Sequence, residues 1–366
     1  MTRIAIIGSG IIGAAIAYEL SLLPDLQIDL FDAQQPSQGA TGAALGILMA
    51  VISQKKQGKN WQLRQTSLER YRSLLPELEE VTGRTIPVNR HGLVKLLFEN
   101  EVDRWQKLQI TRQHQGYALE IWDSDQVKQQ LPALKSVELQ GAIYSPFDWQ
   151  IQPQLLTETL IAAAVKQGVN CYFETQVSSL KPVSDNGICH QLETTKGNFA
   201  VDYVIITAGL GTTALSQRDL SLEPVIGQAF HLQLPPALIL THAPAWQPVL
   251  TAEDVHFVPL GDHQFWLGAT VEFPADCPQG LPNEYLREQL WQRAIAYYPF
   301  LAQAKILRYW SGKRPRPVGE SAPVIRPLTG YDNVLIASGH YRNGVLLAPA
   351  TAIAVKNWLL TQGPIL

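Results

Sequence analysis

Apolar side chains along this chain fall into two rhythms: short buried runs that end in glycine, and longer stripes at helical spacing. Arg3 to Ile7 is a compact run rich in β-branched residues, the pattern of a strand covered on both faces. Apolar positions then recur through Ala14, Ala17 and Leu20 as they do on a helix. Ile28 to Phe31 predicts a second buried strand. A stripe at Leu68, Tyr71, Leu75 and Leu78 predicts a helix over 63–81, interrupted near Pro76 because proline has no amide hydrogen to continue the ladder. Over 92–144 short apolar strands alternate with polar helical stretches, which predicts a separate substrate or cap domain. Pro153 to Gln167 predicts a well-marked helix with proline near its start and Gly168 just past its end. Val169 to Phe173 and Tyr203 to Ile206 predict further strands. Over 227–298 segments such as Gln264-Phe265-Trp266-Leu267-Gly268 alternate as antiparallel strands do. Tyr309 to Pro317 reads as a short basic loop, Val334 to Ala337 as a last buried strand, and Val345 to Leu360 as a closing helix with Pro349 early in it.

Chemistry enters where the first strand stops. Gly8-Ser9-Gly10-Ile11-Ile12-Gly13 sits between a strand and a helix, the context that gives a G-x-G-x-x-G run meaning as a dinucleotide site. Gly8 makes the tight turn, Gly10 lets backbone approach a pyrophosphate, and Gly13 lets the helix pack close on the strand. The helix start supplies unpaired N–H groups for the anion. Asp32, at the end of the second strand, is placed to accept hydrogen bonds from an adenosine ribose. A ligand-free glycine turn explains the glycines but not the strand, helix and terminal acid together. The motif leaves FAD and NAD open, while an acid at position 32 disfavours NADP. The small-residue run Gly39 to Gly46 admits two readings, backbone brought close to a ligand or tight helix packing; on the first, the Thr41 hydroxyl donates to phosphate. Ala208 and Gly209, at the end of another strand, approach the same ligand.

Composition narrows the rest. With 366 residues, 46% hydrophobic and 17% charged, the chain is long enough for two domains or one α/β unit with an insertion, and it lacks the bias of disordered, collagenous or coiled-coil sequences. Its 29 Lys+Arg against 32 Asp+Glu, a net charge of -3, argue against nucleic acid as a partner. Cys171, Cys189 and Cys277 lie far apart with no CxxC, which excludes a disulfide framework, predicts no metal site, and places the chain in a reducing cytoplasm. Ile4 to Leu23 is apolar enough for a signal peptide, but three glycines interrupt it and no cleavage pattern follows. No other run approaches the ~20 apolar residues of a membrane span, so none is expected.

Taken in order, the motifs resemble the FAD-dependent D-amino acid oxidase superfamily, and most closely its glycine oxidase branch, which serves thiazole synthesis for thiamine. The residues that carry the resemblance span nearly the whole chain: Gly8-x-Gly10-x-x-Gly13, Asp32, Ala40-Thr41 through Gly46-Ile47, Val177, Ala208-Gly209, Pro224 to Gln228, Gly268-Ala269-Thr270, Arg314-Pro315 and Gly339 to Pro349. The last string is the most specific. The resemblance implies an α/β chain in which an FAD-binding Rossmann-type domain of the glutathione-reductase kind is interleaved with an antiparallel-sheet α+β substrate domain. The segments expected for the first are 1–49, 144–226 and 308–366, and for the second 50–143 and 227–307.

It implies FAD rather than NAD, held without a covalent link, because no histidine precedes His91 and no cysteine follows Cys277. The FAD contacts it implies are Gly8, Gly10, Ile11, Ile12, Gly13, Asp32 and Ala33, then Ala40, Thr41, Leu45, Gly46 and Ile47. Val177 holds the adenine end through its backbone, Ala208 and Gly209 approach the cofactor again, and the segment His340 to Leu347 lines the ring, with Gly339, His340, Tyr341, Arg342, Asn343, Gly344, Val345 and Leu346 among the contacts. For the substrate it implies a carboxylate clamp from Arg314 and Arg342, because guanidinium matches a carboxylate bidentately. Arg316 is the rival for Arg314, and a structural ion pair is the alternative for Arg342. His256 stands where relatives place a tyrosine on the substrate carboxylate, with a purely structural histidine the other reading. Ile47 and Val271 stand where relatives often line the pocket with methionine, and Ile226 where a basic residue is common.

The activity so implied is oxidative deamination of glycine or a small D- or N-methyl amino acid. Hydride passes from Cα to flavin N5, and the products are an α-keto acid (glyoxylate from glycine), ammonia or amine, and hydrogen peroxide from O2. The alternatives are a dehydrogenase that passes electrons to a quinone or carrier, a tRNA-modifying amine oxidase, and a flavin-binding protein without turnover. A homo-oligomer is compatible with all of them.

Overall fold

The computed structural model describes residues 1–99, 101–134, 137–182, 187–241, 243 and 245–361. Its first sheet has six strands in the order Val324–Pro327, Val334–Ser338, Tyr203–Ile206, Thr2–Ile7, Leu26–Phe31, Asn170–Tyr172, and all neighbours are parallel except the first pair. Both faces of this sheet are covered, as the continuous apolar runs require. Along Thr2–Ile7 the side chains alternate: Ile4 and Ile6 join the core under the helices, while Ala5 and Ile7 join a second core with Val177, Leu180 and Leu192. The helical layer comprises Ile11–Ser21, Lys59–Thr82, Pro153–Lys166 and Gly344–Thr361, packed against one another. The opposite face carries the three-stranded antiparallel sheet Val177–Pro182, Cys189–Thr194 and Gly197–Ala200.

A second large sheet has eight strands in the order Lys305–Pro317, Leu222–Gln233, Gln264–Gly268, Val255–Gly261, Val249–Ala252, Leu93–Leu97, Gly141–Ser145, Glu120–Trp122. Every neighbouring pair is antiparallel except Val249–Ala252 with Leu93–Leu97. Its far side packs on helix Glu284–Tyr297 through Phe230, Phe257, Leu290 and Tyr298.

Several expectations from the sequence are corrected here. The stretch read as a basic loop at 309–317 is the end of a 13-residue edge strand, Lys305–Pro317, paired along its length with Leu222–Gln233. Its prolines, Pro315 and Pro317, are tolerated because an edge strand has one side without ladder partners. Pro76 does not interrupt its helix: Lys59–Thr82 runs through it, and Pro76 and Arg72, whose carbonyl loses a donor, both face solvent. The divisions expected at 143/144, 226/227 and 307/308 fall inside single strands, which run on across them. Among the described residues, Gly344–Thr361 is long and apolar enough to cross a membrane, yet it is packed between helices Ile11–Ser21 and Lys59–Thr82 as a core helix.

Candidate active site

A cavity of about 1320 Å³ opens at the carboxyl ends of the parallel strands and runs to the inner face of the eight-stranded sheet. Pockets for single small ligands occupy roughly 300–1,000 Å³, so this one has room for an extended cofactor and a further small molecule. At one pole the glycine turn behaves as the sequence predicts. Gly8 has φ +114°, and a Cβ there would meet the Thr207 carbonyl at 2.6 Å. Gly13 does not line the cavity; a Cβ on it would lie 1.8 Å from the Gly8 carbonyl, so its role is the close helix–strand contact. The helix that follows has no side-chain cap and no acid in its first turn, which leaves its start positive and donor-rich. Asp32 accepts from Ser9 N at 2.6 Å, Ser9 Oγ at 2.8 Å and Gln34 N at 2.9 Å, and still borders the cavity. Thr41 Oγ1 accepts the Ile11 N–H at 3.0 Å, which occupies one helix donor and leaves the hydroxyl hydrogen free to donate to a ligand.

The wall between the poles is held by long-range bonds. Gly46, at φ +75°, passes against the Ile151 carbonyl where a Cβ would sit 1.8 Å away, and Gln150 Nε2 donates to Leu45 O at 3.0 Å. The next turn is stitched from both sides. The buried Asp148 carboxylate accepts N–H bonds from Ala50 (2.6 Å), Val51 (2.8 Å) and Ile52 (2.8 Å). Buried Arg112 donates to the carbonyls of Val51, Ser53 and Lys55 at 2.7–2.9 Å and lies 3.6 Å over the Trp61 ring. Burial pushes the Asp148 carboxyl up, opposed by those N–H bonds, and pushes Arg112 down to about 10.

Helix Gly344–Thr361 points its amino end into the cavity with Gly344, Val345 and Leu346 on the lining and no acid in its first turn. Pro349 deprives the Val345 carbonyl of its helical donor. The Tyr71 hydroxyl takes that place, and Ser67 Oγ accepts the Ala350 N–H at 3.2 Å. His340 borders the cavity, and its ring is buried and bonded to Thr351 Oγ1 at 2.8 Å; desolvation brings its pKa down to about 3.

At the far pole, Arg314 crosses over Gly227. Its Nη1 donates to the carbonyls of Ile226 and Thr270, both at 3.1 Å. A Cβ on Gly227 would lie 2.2 Å from Nη2, so only glycine leaves the guanidinium its place. No acidic side chain lies within ion-pair distance of Arg314 among the described residues. Burial, and then the charge of Arg342, lower its pKa from the ordinary value. The buried Glu272 carboxylate acts on it through space, itself bound by Gln228 Nε2 and Asn283 N at 2.8 Å and by the Thr270 hydroxyl. Arg316, the rival, is exposed, paired with Glu223 and absent from the lining. Arg342 lines the cavity, but its guanidinium is held by Asp254 at 2.9 Å, which corrects the expectation that it stands open as half of a clamp. His256 is buried on the lining, with Nδ1 bonded to Thr251 Oγ1 at 2.7 Å. Desolvation, with the Arg342 charge, drives its pKa down to about 3, so it stays neutral. Ile47 lines the cavity; Val271 does not, and Ala269 stands at the wall instead.

The remaining predicted residues, Gly10, Ile12, Ala33, Ala40, Val177, Ala208, Gly209, Gly339, Tyr341 and Asn343, all border the same cavity. Sequence reasoning missed Arg64, Tyr71, Asp148, Glu272 and Asp254. The signal available for Tyr71 and Arg64 was helical spacing, which reports burial and not partner.

FAD fits these residues. It needs anion donors at one end, an acid for a ribose, and hydrogen-bond donors along its length, and three buried polar atoms on lining residues, Ser37 Oγ, Gln54 Nε2 and Arg64 Nε, have no protein partner among the described residues.

Comparison with known proteins agrees. The family model described as FAD dependent oxidoreductase matches residues 3–358. The chain is 29% identical over 365 residues to a glycine oxidase of Geobacillus kaustophilus, covering 97% of this chain and 92% of that one. It is 31% identical over 369 residues to the bifunctional protein ThiO/ThiG of Synechocystis, covering 98% of this chain but only 52%, about half, of that longer protein. The crystal structure of the G. kaustophilus glycine oxidase superposes with a TM-score of 0.85 at 28% identity, covering 100% of this chain and 96% of the other. The chain belongs to the FAD-dependent oxidoreductase family.

Proposed function

We propose that this protein is an amino acid oxidase whose substrate is glycine or a small D- or N-methyl amino acid and whose electron acceptor is O2. The observation that carries this reading is Arg314, a half-buried guanidinium with no acidic side chain within ion-pair distance among the described residues, held over Gly227 at the cavity pole remote from the glycine turn. Bound FAD supplies a ring that accepts a hydride. The chain's own residues supply position. Arg314 pairs with the substrate carboxylate, and because its Nη1 is already fixed by two carbonyls, little side-chain freedom is lost on binding. The lining by Leu45, Ile47, Ala229 and Ala269 disfavours a charged ammonium, so the amine is held neutral with the lone pair that the oxidation needs. Neutral His256 and the Arg342–Asp254 pair close the pole without adding net charge.

FAD is held non-covalently on this reading: no cysteine lines the cavity among the described residues, and the lining histidines, His256 and His340, are bonded to Thr251 and Thr351. The free thiols Cys171, Cys189 and Cys277 support a reducing cytoplasm, and the family resemblance supports supply of thiazole synthesis. The test is stoichiometry: glycine, O2 and water should give glyoxylate, ammonia and hydrogen peroxide in equal amounts. Glyoxylate formed only with an added dye acceptor would replace the oxidase reading with a dehydrogenase.

A further inference from the structure

Arg64 lies on the inner side of helix Lys59–Thr82 and is only 7% exposed, yet it faces no carboxylate within ion-pair distance among the described residues. Its Nη1 donates to Asn60 O of its own helix at 2.9 Å, and its Nη2 reaches Asn343 Oδ1 at 3.4 Å. Its Nε is buried with no partner. Asp148 acts on it only through space and is already bound by three backbone N–H groups. A buried cation is costly unless something negative meets it. Arg64 lines the cavity beside Asn343, the residue that precedes helix Gly344–Thr361, so the charge and the positive end of that helix converge on one place. Tyr71, two helical turns along from Arg64, binds the same helix at Val345 and so fixes the two elements together.

We propose that Arg64 is the resident cation of this site, placed to stabilise the negative charge that appears on the cofactor when it is reduced. The proposal rests on the reading that the cavity holds FAD with its ring at the Asn343 end. A hydride carries two electrons and one proton, so the acceptor would gain one negative charge while the substrate, which enters with a neutral amine, would leave as an iminium cation. Arg64 touches neither the Arg314 carboxylate site nor any residue that holds it. It acts on the cofactor's charge and not on substrate capture.

The test is sulfite titration of the purified, FAD-loaded protein. Sulfite adds through its sulfur lone pair to the oxidised ring and drives one negative charge into it, with no leaving group, no substrate and no oxygen. Arg64→Met is expected to weaken sulfite binding by about tenfold or more, the loss of about 1.4 kcal/mol of charge stabilisation, while Arg64→Lys stays within about threefold of the natural protein because it keeps the charge. The flavin midpoint potential should fall in Arg64→Met and hold in Arg64→Lys. Unchanged sulfite binding in an Arg64→Met protein with full FAD content overturns the proposal. Where Arg64→Met does not load FAD, Arg64→Gln is titrated in its place, and failure of both to load while Arg64→Lys does would make Arg64 a holder of the cofactor and overturn the charge role. Because no amino acid enters the titration, its result stands whether or not glycine proves to be the substrate.

Discussion

The Tyr71 hydroxyl donates to the backbone carbonyl of Val345, the one carbonyl that Pro349 leaves without a helical donor. A proline in the second turn of the cofactor-facing helix is thus offset by a side chain that lies 274 residues from the Val345 carbonyl in sequence. Tyr71→Phe should cost about 1–3 kcal/mol, the penalty of a buried carbonyl left unpaired. In a Pro349→Ala background, where the backbone can supply the missing N–H, the same change should cost clearly less. Denaturant midpoints of the four proteins measure the coupling; equal costs in both backgrounds would refute the compensation.

Gly227 makes room for Arg314. Gly227→Ala forces a Cβ into the guanidinium and should raise KM for the amino acid by about tenfold or more, comparable to the loss of a charge-assisted hydrogen bond, with FAD content preserved. Arg314→Ala should raise KM at least as far. Equal loss of FAD and of substrate binding in either variant would assign Arg314 a structural role.

Asp148 gathers three N–H groups from the loop that follows the cofactor-lining run. Asp148→Ala leaves the Val51 and Ile52 N–H groups buried and unpaired, while Ala50 keeps its bond to the Leu48 carbonyl, and should destabilise the protein by about 3–5 kcal/mol, with weaker FAD retention. Thermal unfolding and flavin content of the purified variant check both effects. A variant within 1 °C of the natural Tm would show that the loop does not depend on this carboxylate.

What the sequence revealed and what it hid follow from the range of the forces involved. The turn at Gly8 to Gly13 and the helix after it are local, so their spacing announced them. Residues 309–317 read as a loop because their basic residues and prolines follow edge-strand rules rather than apolar alternation, and the pairing of strand Lys305–Pro317 with Leu222–Gln233 is a distant contact. Arg314 was legible from its motif, but its selection over Arg316 needed Gly227 beneath it and Glu223 beside its neighbour. Arg342 looked equivalent until Asp254 appeared against it. Arg64 and Asn343 lie 279 residues apart, and no period along the chain records their approach.

Two buried histidines set an acid limit on stability. His256, lowered first by burial and then by the charges of Arg342, Lys95 and Arg314 against the opposing Asp254, and His340, whose lowering comes from burial alone, are each brought down to about 3 in the fold against 6.5 in the open chain. Between those values the unfolded chain binds a proton that the folded chain refuses. Stability therefore rises with pH across this window, by up to about 1.4 kcal/mol per pH unit for each histidine, and levels off above about pH 6.5. Urea unfolding of His340→Gln between pH 4.5 and 7 should show a shallower slope than the natural protein. An identical slope would mean that His340 is protonated in the fold.

The central claim is that a small amino acid, held by Arg314, reduces FAD bound in this cavity. It is tested most directly by mixing the purified protein anaerobically with glycine, sarcosine, D-alanine, D-proline and their L-counterparts and following the visible flavin band. The account predicts that glycine or one of the small D- or N-methyl amino acids bleaches the band, and that Arg314→Ala requires far more of it to do so. Bleaching by L-amino acids alone, or a colourless protein that FAD cannot reconstitute, would contradict it.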